Sequence, residues 1–164
     1  MSQVKLIVTG TKTFENKKLV IQVLNDMKSK ISELEVVTGA DKGPETMAAE
    51  WAEYNNTPSK IFKVNWKDIN VEGADVAEGP YGKYNRKAGV ARNREMVEYG
   101  THLLAFWDGE DIGTKILIEF AKKANLKIKI FIIEGDNIRP QEDEQPEVEL
   151  KAEATMDDDD DLGF

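Results

Sequence analysis

The sequence predicts an α/β protein on a doubly wound, mostly parallel sheet of five strands. Short apolar runs alternate with amphipathic helical stretches, and the first two runs end in glycine. Residues 4 to 9 (VKLIVT) read as the first strand and run into Gly10; residues 35 to 38 (EVVT) repeat the arrangement ahead of Gly39. Between them Leu19, Val20, Val23, Leu24, Met27 and Ile31 form an i, i+4, i+8 stripe, which predicts a helix over 16–31 covering the sheet. After Gly39, Pro44 suits a first helical turn and Glu45 lies against its positive end, so a helix is expected over 44–55. Residues 59–65 (SKIFKVN), 102–107 (HLLAFW) and 126–133 (LKIKIFII) complete the strands. In the last, Lys127 and Lys129 alternate with Ile128 and Ile130, as suits an edge strand. One helix, over 86–99, precedes the fourth strand. Another follows DGEDIGTK, with Ile116, Leu117, Phe120, Ala121 and Ala124 expected on its buried side. The stretch from Trp66 to Asn85, with Gly73, Gly79, Pro80 and Gly82, is long enough to be a lid or binding loop.

Composition narrows the chemistry. With 164 residues and 40% hydrophobic content, one domain can bury a real core. Zero cysteines exclude disulfides, thiolate zinc sites and a Cys nucleophile, and one histidine leaves little for a His-based site, so no metal and no cofactor is expected. No run nears the roughly 20 apolar residues of a membrane span. The amino terminus carries no cationic leader, so a cytoplasmic protein without membrane contact is expected.

The net charge of −9 is unevenly spread. From Glu134 to Phe164 there are 13 acidic and 2 basic residues, whereas residues 1 to 133 hold 18 acidic and 20 basic ones. The acidity is a tail. It contains Pro140 and Pro146 and has no periodicity that would bury a face. A folded domain over 1–134 and a disordered acidic segment over 135–164 follow as expectations.

Parallel sheets bind ligands outside the carboxyl ends of their strands, at the topological switch point. Three glycine-containing turns are expected there: Thr9-Gly10-Thr11, Thr38-Gly39-Ala40-Asp41-Lys42-Gly43, and Asp108-Gly109-Glu110-Asp111-Ile112-Gly113-Thr114. Glycine admits close approach of backbone amides to an anion, and the helix start behind each turn adds a positive dipole end. A phosphate-bearing ligand is one reading; ordinary tight strand-to-helix turns are the other. There is no GxGxxG and no Walker motif. Phe106, Trp107 and His102 read as structural, whereas Trp66 and Tyr81 are the loop aromatics that suit stacking on a base.

The segments VTGTKTF, VTGADKGPETMAAEWA, KVNW, KAGVARNREMV and LLAFWDGEDIGTK together resemble the YspA-type branch of the SLOG superfamily. These are Rossmann-like domains whose relatives include the cytokinin-activating LOG proteins and the DNA-processing protein DprA. The resemblance covers residues 4 to 133 and implies a pocket for a nucleotide or nucleotide-derived ligand. Carried over by position, that pocket includes Gly10, Thr11, Gly39, Lys42, Gly43, Arg92, Asn93, Asp108, Gly113 and Thr114. The chain departs from the family pattern at Thr11 and Lys12, where the family often has Ser-Arg, and at Lys42 and Glu45, where it usually has an Arg and an Asp. The catalytic Glu of the LOG proteins is matched here by Leu117. Arg92 is expected to face the pocket, and Arg94 to pair with surface acids such as Glu98, since residues two apart on a helix point apart.

The terminal DDDDDLGF resembles the carboxyl-terminal tails of bacterial and phage single-stranded-DNA-binding proteins, which dock replication partners. Leu162 and Phe164 would bury in a partner's pocket, the acidic run beside them. Three readings stand. The first is a nucleotide-ligand-binding domain acting as sensor, carrier or sequestering protein, with a homo-oligomer expected. The second is a DprA-like protein acting on single-stranded nucleic acid, with a replication protein as partner. The third is a phosphoribohydrolase-like enzyme, for which Asp108 is the candidate acid.

Overall fold

A computed structural model of the chain describes residues 3–141. Along the chain run β1 (Val4–Gly10), α1 (Lys17–Lys30), β2 (Leu34–Thr38), α2 (Pro44–Tyr54), β3 (Ser59–Ile61), β4 (Val76–Gly79) and β5 (Gly82–Asn85). They are followed by α3 (Ala88–Tyr99), β6 (His102–Trp107), α4 (Ile112–Lys123), β7 (Lys127–Glu134) and β8 (Asn137–Pro140). The main sheet has the order β3-β2-β1-β6-β7-β8, while β4 and β5 form a separate hairpin. β1 pairs parallel with β2, Val4 opposite Leu34, and with β6, Gly10 opposite Phe106. The chain therefore winds outward from β1 to β3, then crosses back to lay β6 and β7 on the other side. The switch point falls between β1 and β6.

Alternation along β1 divides the core. Leu6 and Val8 join Val20, Leu24 and Met27 of α1 and Ala48 and Trp51 of α2 on one face. Ile7 joins Met96 and Val97 of α3 and Leu117, Ile118 and Ala121 of α4 on the other. Strands buried on both faces need continuous apolar sequence, which is why VKLIV and HLLAF carry no polar alternation. α1 starts where Asn16 accepts from the Leu19 amide, and ends with Lys28 and Lys30 in its last turn, favourable at the negative end. On α4, Ile118 is buried although the expected stripe omitted it, and Ala124, expected on the buried side, caps the helix and is exposed.

The sheet has six strands, one more than expected. Gly135, at φ 63, lets the chain reverse, and β8 then pairs antiparallel with β7, Ile133 opposite Ile138. Ile138 packs against the α1/α2 core, and Arg139 Nε lies 2.6 Å from Glu134 Oε2. Asn137–Pro140 thus belongs to the fold, so the boundary expected at residue 134 moves beyond Pro140. β8 covers β7 from Phe131 to Glu134, whereas Lys127 and Lys129 lie in the preceding half, which is laddered to β6 and keeps the edge position expected of it. The remainder of the tail, with Leu162 and Phe164, lies outside the described residues. The third strand is shorter than SKIFKVN implied, since only Ser59–Ile61 is ladder-paired and the chain then leaves the sheet towards the carboxyl edge. Among the described residues no helix is long and apolar enough to cross a membrane.

Candidate functional site

A cleft of about 700 Å³ opens at the carboxyl edge beside the switch point. Its walls bring together Thr9 and Gly10 at the end of β1, Gly39, Ala40 and Asp41 after β2, and Lys63 and Val64 after β3. Gly89, Arg92 and Asn93 of α3 and Asp111, Gly113 and Thr114 at the start of α4 close the other side. Ala40 adopts φ 59, a left-handed conformation that costs an alanine roughly 1 kcal/mol and that clusters at ligand sites.

Arg92 is the hub. Only 9% exposed, it donates from Nε to Asn93 Oδ1 (2.9 Å), from Nη1 to the Phe62 carbonyl (3.1 Å) and from Nη2 to Asp41 Oδ2 (3.4 Å). One guanidinium thereby ties the loops after β2 and β3 to α3. Gly39 makes room for it: a Cβ there would fall 2.0 Å from Arg92 Nη1 and 2.9 Å from Glu45 Oε1. Two of the five guanidinium N–H groups are not used by these bonds.

Glu45 lies on the cleft wall, 6% exposed. Thr9 Oγ1 donates to its Oε2 at 2.8 Å and the Asp41 amide to its Oε1 at 3.1 Å. Burial raises its carboxyl above the ordinary carboxylate range; the Asp41 amide and the Thr9 hydroxyl pull the other way, the Asp41 charge raises it and Arg92 lowers it. The folded chain thus holds a proton on Glu45 at pH values where the unfolded chain has released it. Stability from this group is fully present below the unfolded pKa and is lost as pH rises through the window up to the raised folded value. Glu45→Gln keeps an acceptor for the Asp41 amide and, like the protonated carboxyl, sets a donor against the Thr9 hydroxyl, which can turn to accept. Its melting temperature relative to the unchanged chain should therefore climb as pH rises from about 4 towards neutrality. A difference that stays flat over that range would mean Glu45 ionises as freely folded as unfolded.

The turn after β6 is satisfied from within. Asp108 Oδ1 accepts from the amides of Glu110 and Asp111, both at 2.8 Å, and Asp111 Oδ2 caps α4 through the Thr114 amide (2.9 Å) and hydroxyl (2.6 Å). Burial would raise the Asp108 carboxyl, but the Glu110 and Asp111 amides and Thr11 outweigh it and hold it below the usual range. A carboxylate kept ionised and bonded into its own turn is a poor general acid. Asp108 and Thr11 also line a separate hollow of about 320 Å³, with Thr11 Oγ1 accepting from the Asp108 amide at 3.1 Å.

Of the ten residues expected in the pocket, Gly10, Gly39, Arg92, Asn93, Gly113 and Thr114 line the cleft, and Thr11, Lys42, Gly43 and Asp108 do not. Gly43 is structural: it caps α2 at φ 90, and a Cβ on it would meet the Thr11 carbonyl at 2.8 Å. Sequence reasoning passed over Asp41, Glu45, Lys12 and Lys63 as site residues; all four line the cleft. Lys12 and Lys63 have no ion-pair partner among the described residues. Trp66, half-exposed, lines the cleft, its ring 3.6 Å from where a Gly89 Cβ would sit. Tyr81, at the tip of the β4–β5 hairpin and 90% exposed, does not. Arg94 lies over the Phe120 ring at 5.7 Å, a cation–π contact in place of the expected pairing with Glu98. Phe106 stacks between Phe14 and Phe131, and His102 is buried with Nδ1 2.7 Å from the Thr101 hydroxyl.

Fold and cleft together define a mostly parallel α/β domain with a crevice at the switch point. Residues 4–68 match the family described as YAcAr, the YspA, cpYpsA-related SLOG family. Among solved structures the chain is similar to DNA processing protein A (DprA) from Streptococcus pneumoniae, with a TM-score of 0.60 and 19% identity over 78% of this chain. It is also similar to DNA processing protein A from Helicobacter pylori, whose structure addresses a single-stranded DNA binding mode. That match has a TM-score of 0.61 and 10% identity over 99% of this chain. The chain spans 50% of the Streptococcus protein and 80% of the Helicobacter one. At these identities the likeness is one of fold. No curated protein matches the chain.

Proposed function

We propose that the protein binds a nucleotide or nucleotide-derived ligand in the switch-point cleft, as a sensor, carrier or sequestering protein. The observation that carries this reading is the pair of ammonium groups, Lys12 and Lys63, that line the cleft without an ion-pair partner among the described residues. They share the cleft lining with Gly10 and Gly39 at the ends of β1 and β2. Such cations meet phosphate oxygens as point charges. Trp66 offers an aromatic face for a base.

Titration calorimetry with AMP, ADP and ATP tests the reading. Binding is expected to tighten with added phosphates. Lys12→Ala combined with Lys63→Ala should weaken ATP by at least about tenfold, since a bond to a charged group contributes roughly 1.5 to 3 kcal/mol. Absence of any nucleotide binding, or affinity indifferent to both lysines, would overturn it.

A second reading has single-stranded nucleic acid as the ligand. Tyr81 on the hairpin tip, with Lys67 Nζ donating to its carbonyl at 2.7 Å, is an exposed ring beside a cation, the combination that stacks single-stranded bases. In either reading the acidic tail docks a replication protein through Leu162 and Phe164. A chain ending at Gln141 should retain nucleotide affinity and lose that partner; raised affinity for single-stranded DNA at low salt would instead mean that the tail competes for the cleft.

A further inference from the structure

One edge of the main sheet is only half closed. β8 pairs with β7 from Glu134 back to Phe131, and one further bond, from the Gln141 amide to the Ile130 carbonyl at 2.8 Å, carries the ladder a step beyond it. Hydrogen-bonded pairs recur at every second residue of an antiparallel ladder, so Ile128 turns its amide and carbonyl to the same outer edge as Ile130. The described residues end at Gln141, one such pair short of Ile128. Along this length the strand is half-buried, and Ile128 and Ile130 alternate with Lys127 and Lys129. An open edge of that composition is a template for an extended chain, and its lysines favour an acidic one.

We infer that the outer edge of β7 is a docking site for the chain's own acidic segment, residues 142–144 (EDE). Carried onward, the register that sets Ile133 opposite Ile138 puts Glu142 opposite Lys129, Asp143 opposite Ile128 and Glu144 opposite Lys127. Two pairs of opposite charge then share one face, and the backbone groups of Asp143 meet those of Ile128. A stop signal falls where this register needs one. Pro146 comes opposite Asn125, which lies ahead of β7 at φ 63, so the missing proline amide costs the ladder nothing. The same segment of another copy has the same chemistry, but this one continues β8 without a loop and so acts at a far higher effective concentration. The consequence reaches the far end of the tail. β7 runs towards the carboxyl edge, where the cleft opens, and β8 runs back, so the chain beyond residue 144 departs from the amino edge. Leu162 and Phe164 are launched from the pole opposite the cleft, and a partner held there need not cover it.

Amide hydrogen exchange, followed residue by residue by NMR on the full chain, tests this. In Glu142→Lys combined with Glu144→Lys, like charges meet along the edge, and the Ile128 amide should exchange about tenfold faster than in the unchanged chain, the ratio that one net hydrogen bond supports. The Lys127 amide, which donates to the Thr101 carbonyl on the β6 side, is the control and should not change. Lys127→Glu combined with Lys129→Glu should expose Ile128 in the same way, and all four changes together should restore its protection. The two glutamates lie outside the described fold, so the first variant decides even where the lysine variant fails to fold. Exchange at Ile128 that is equally fast in the unchanged chain and in the first variant would overturn the inference. A fourfold variant that folds but stays unprotected would overturn it too, because the charges would not face each other in this register. Protection that grows with protein concentration would make the occupant a second copy's segment and overturn the assignment within the chain.

Discussion

Gly10→Ala is expected to destabilise the fold by about 3 kcal/mol, the upper end of the overpacking range, and to lower the melting temperature by roughly 6 to 12 °C. A Cβ at this position would fall 2.5 Å from Pro44 Cγ and 2.6 Å from the Phe106 carbonyl oxygen. Neither neighbour can withdraw. Pro44 is the buried first residue of α2, and its ring is fixed by the backbone. The Phe106 oxygen accepts from the Thr11 amide at 2.9 Å, and its ring is held between Phe14 and Phe131. β1 and the start of α2 would have to separate at the point where the cleft begins. Gly109→Ala is the control. Gly109 has φ 86 but no atom within 4 Å of a built Cβ, so only the left-handed backbone is penalised, by about 1 kcal/mol. Thermal melts followed by far-ultraviolet circular dichroism compare the two. Equal losses would mean that the approach of Pro44 to Gly10 is looser than the geometry requires.

What could be read in the sequence, and what could not, follows from the range of the forces involved. β1, β2 and β6 were legible because burial on both faces writes itself as an unbroken apolar run, and α1 because its stripe repeats every turn. β8 was not. NIRP is short, contains a proline and opens an acidic stretch, and its strand conformation comes from pairing with β7 and the packing of Ile138. The cleft was legible as a place, since the carboxyl edge of a parallel sheet follows from strand order, with Gly10 and Gly39 at the ends of β1 and β2 and Gly113 in the first turn of α4. Its charges were harder. Nothing local distinguishes Lys42, exposed on the outside of its turn, from Lys12 and Lys63, which line the cleft. Glu45 looked like an acid serving a helix dipole. Its burial depends on the turn over 38–45 folding back so that the carboxylate meets Thr9, a contact across 36 residues that no periodicity announces.

Arg92→Ala should have the largest effect on binding of any single side-chain truncation on the cleft wall, and Arg94→Ala, two positions away, almost none. Truncation of Arg92 removes three bonds at once. It leaves Asn93 Oδ1 and the Phe62 carbonyl without that donor and takes the compensating charge away from Asp41 and Glu45. A buried guanidinium with these partners is worth more than its net bonds, because each abandoned acceptor costs about 1 to 3 kcal/mol of desolvation. The acidic turn would then be free to move out of the cleft. Nucleotide affinity should fall by at least about tenfold, and the melting temperature should fall as well. Arg92→Lys should restore little, since a single ammonium cannot reach Asn93, Phe62 and Asp41 in the fork geometry of the guanidinium. Arg94 is exposed and lies over the Phe120 ring, so its removal should leave affinity within about twofold, as expected for a surface cation–π contact. Calorimetry on the three variants, with melts on the same samples, distinguishes these cases. If Arg92→Lys bound as tightly as the parent, charge alone would suffice and the three-way clamp would not be what organises the cleft. If Arg94→Ala weakened binding as much as Arg92→Ala, the ligand would contact the outer face of α3, and the cleft would be the wrong site.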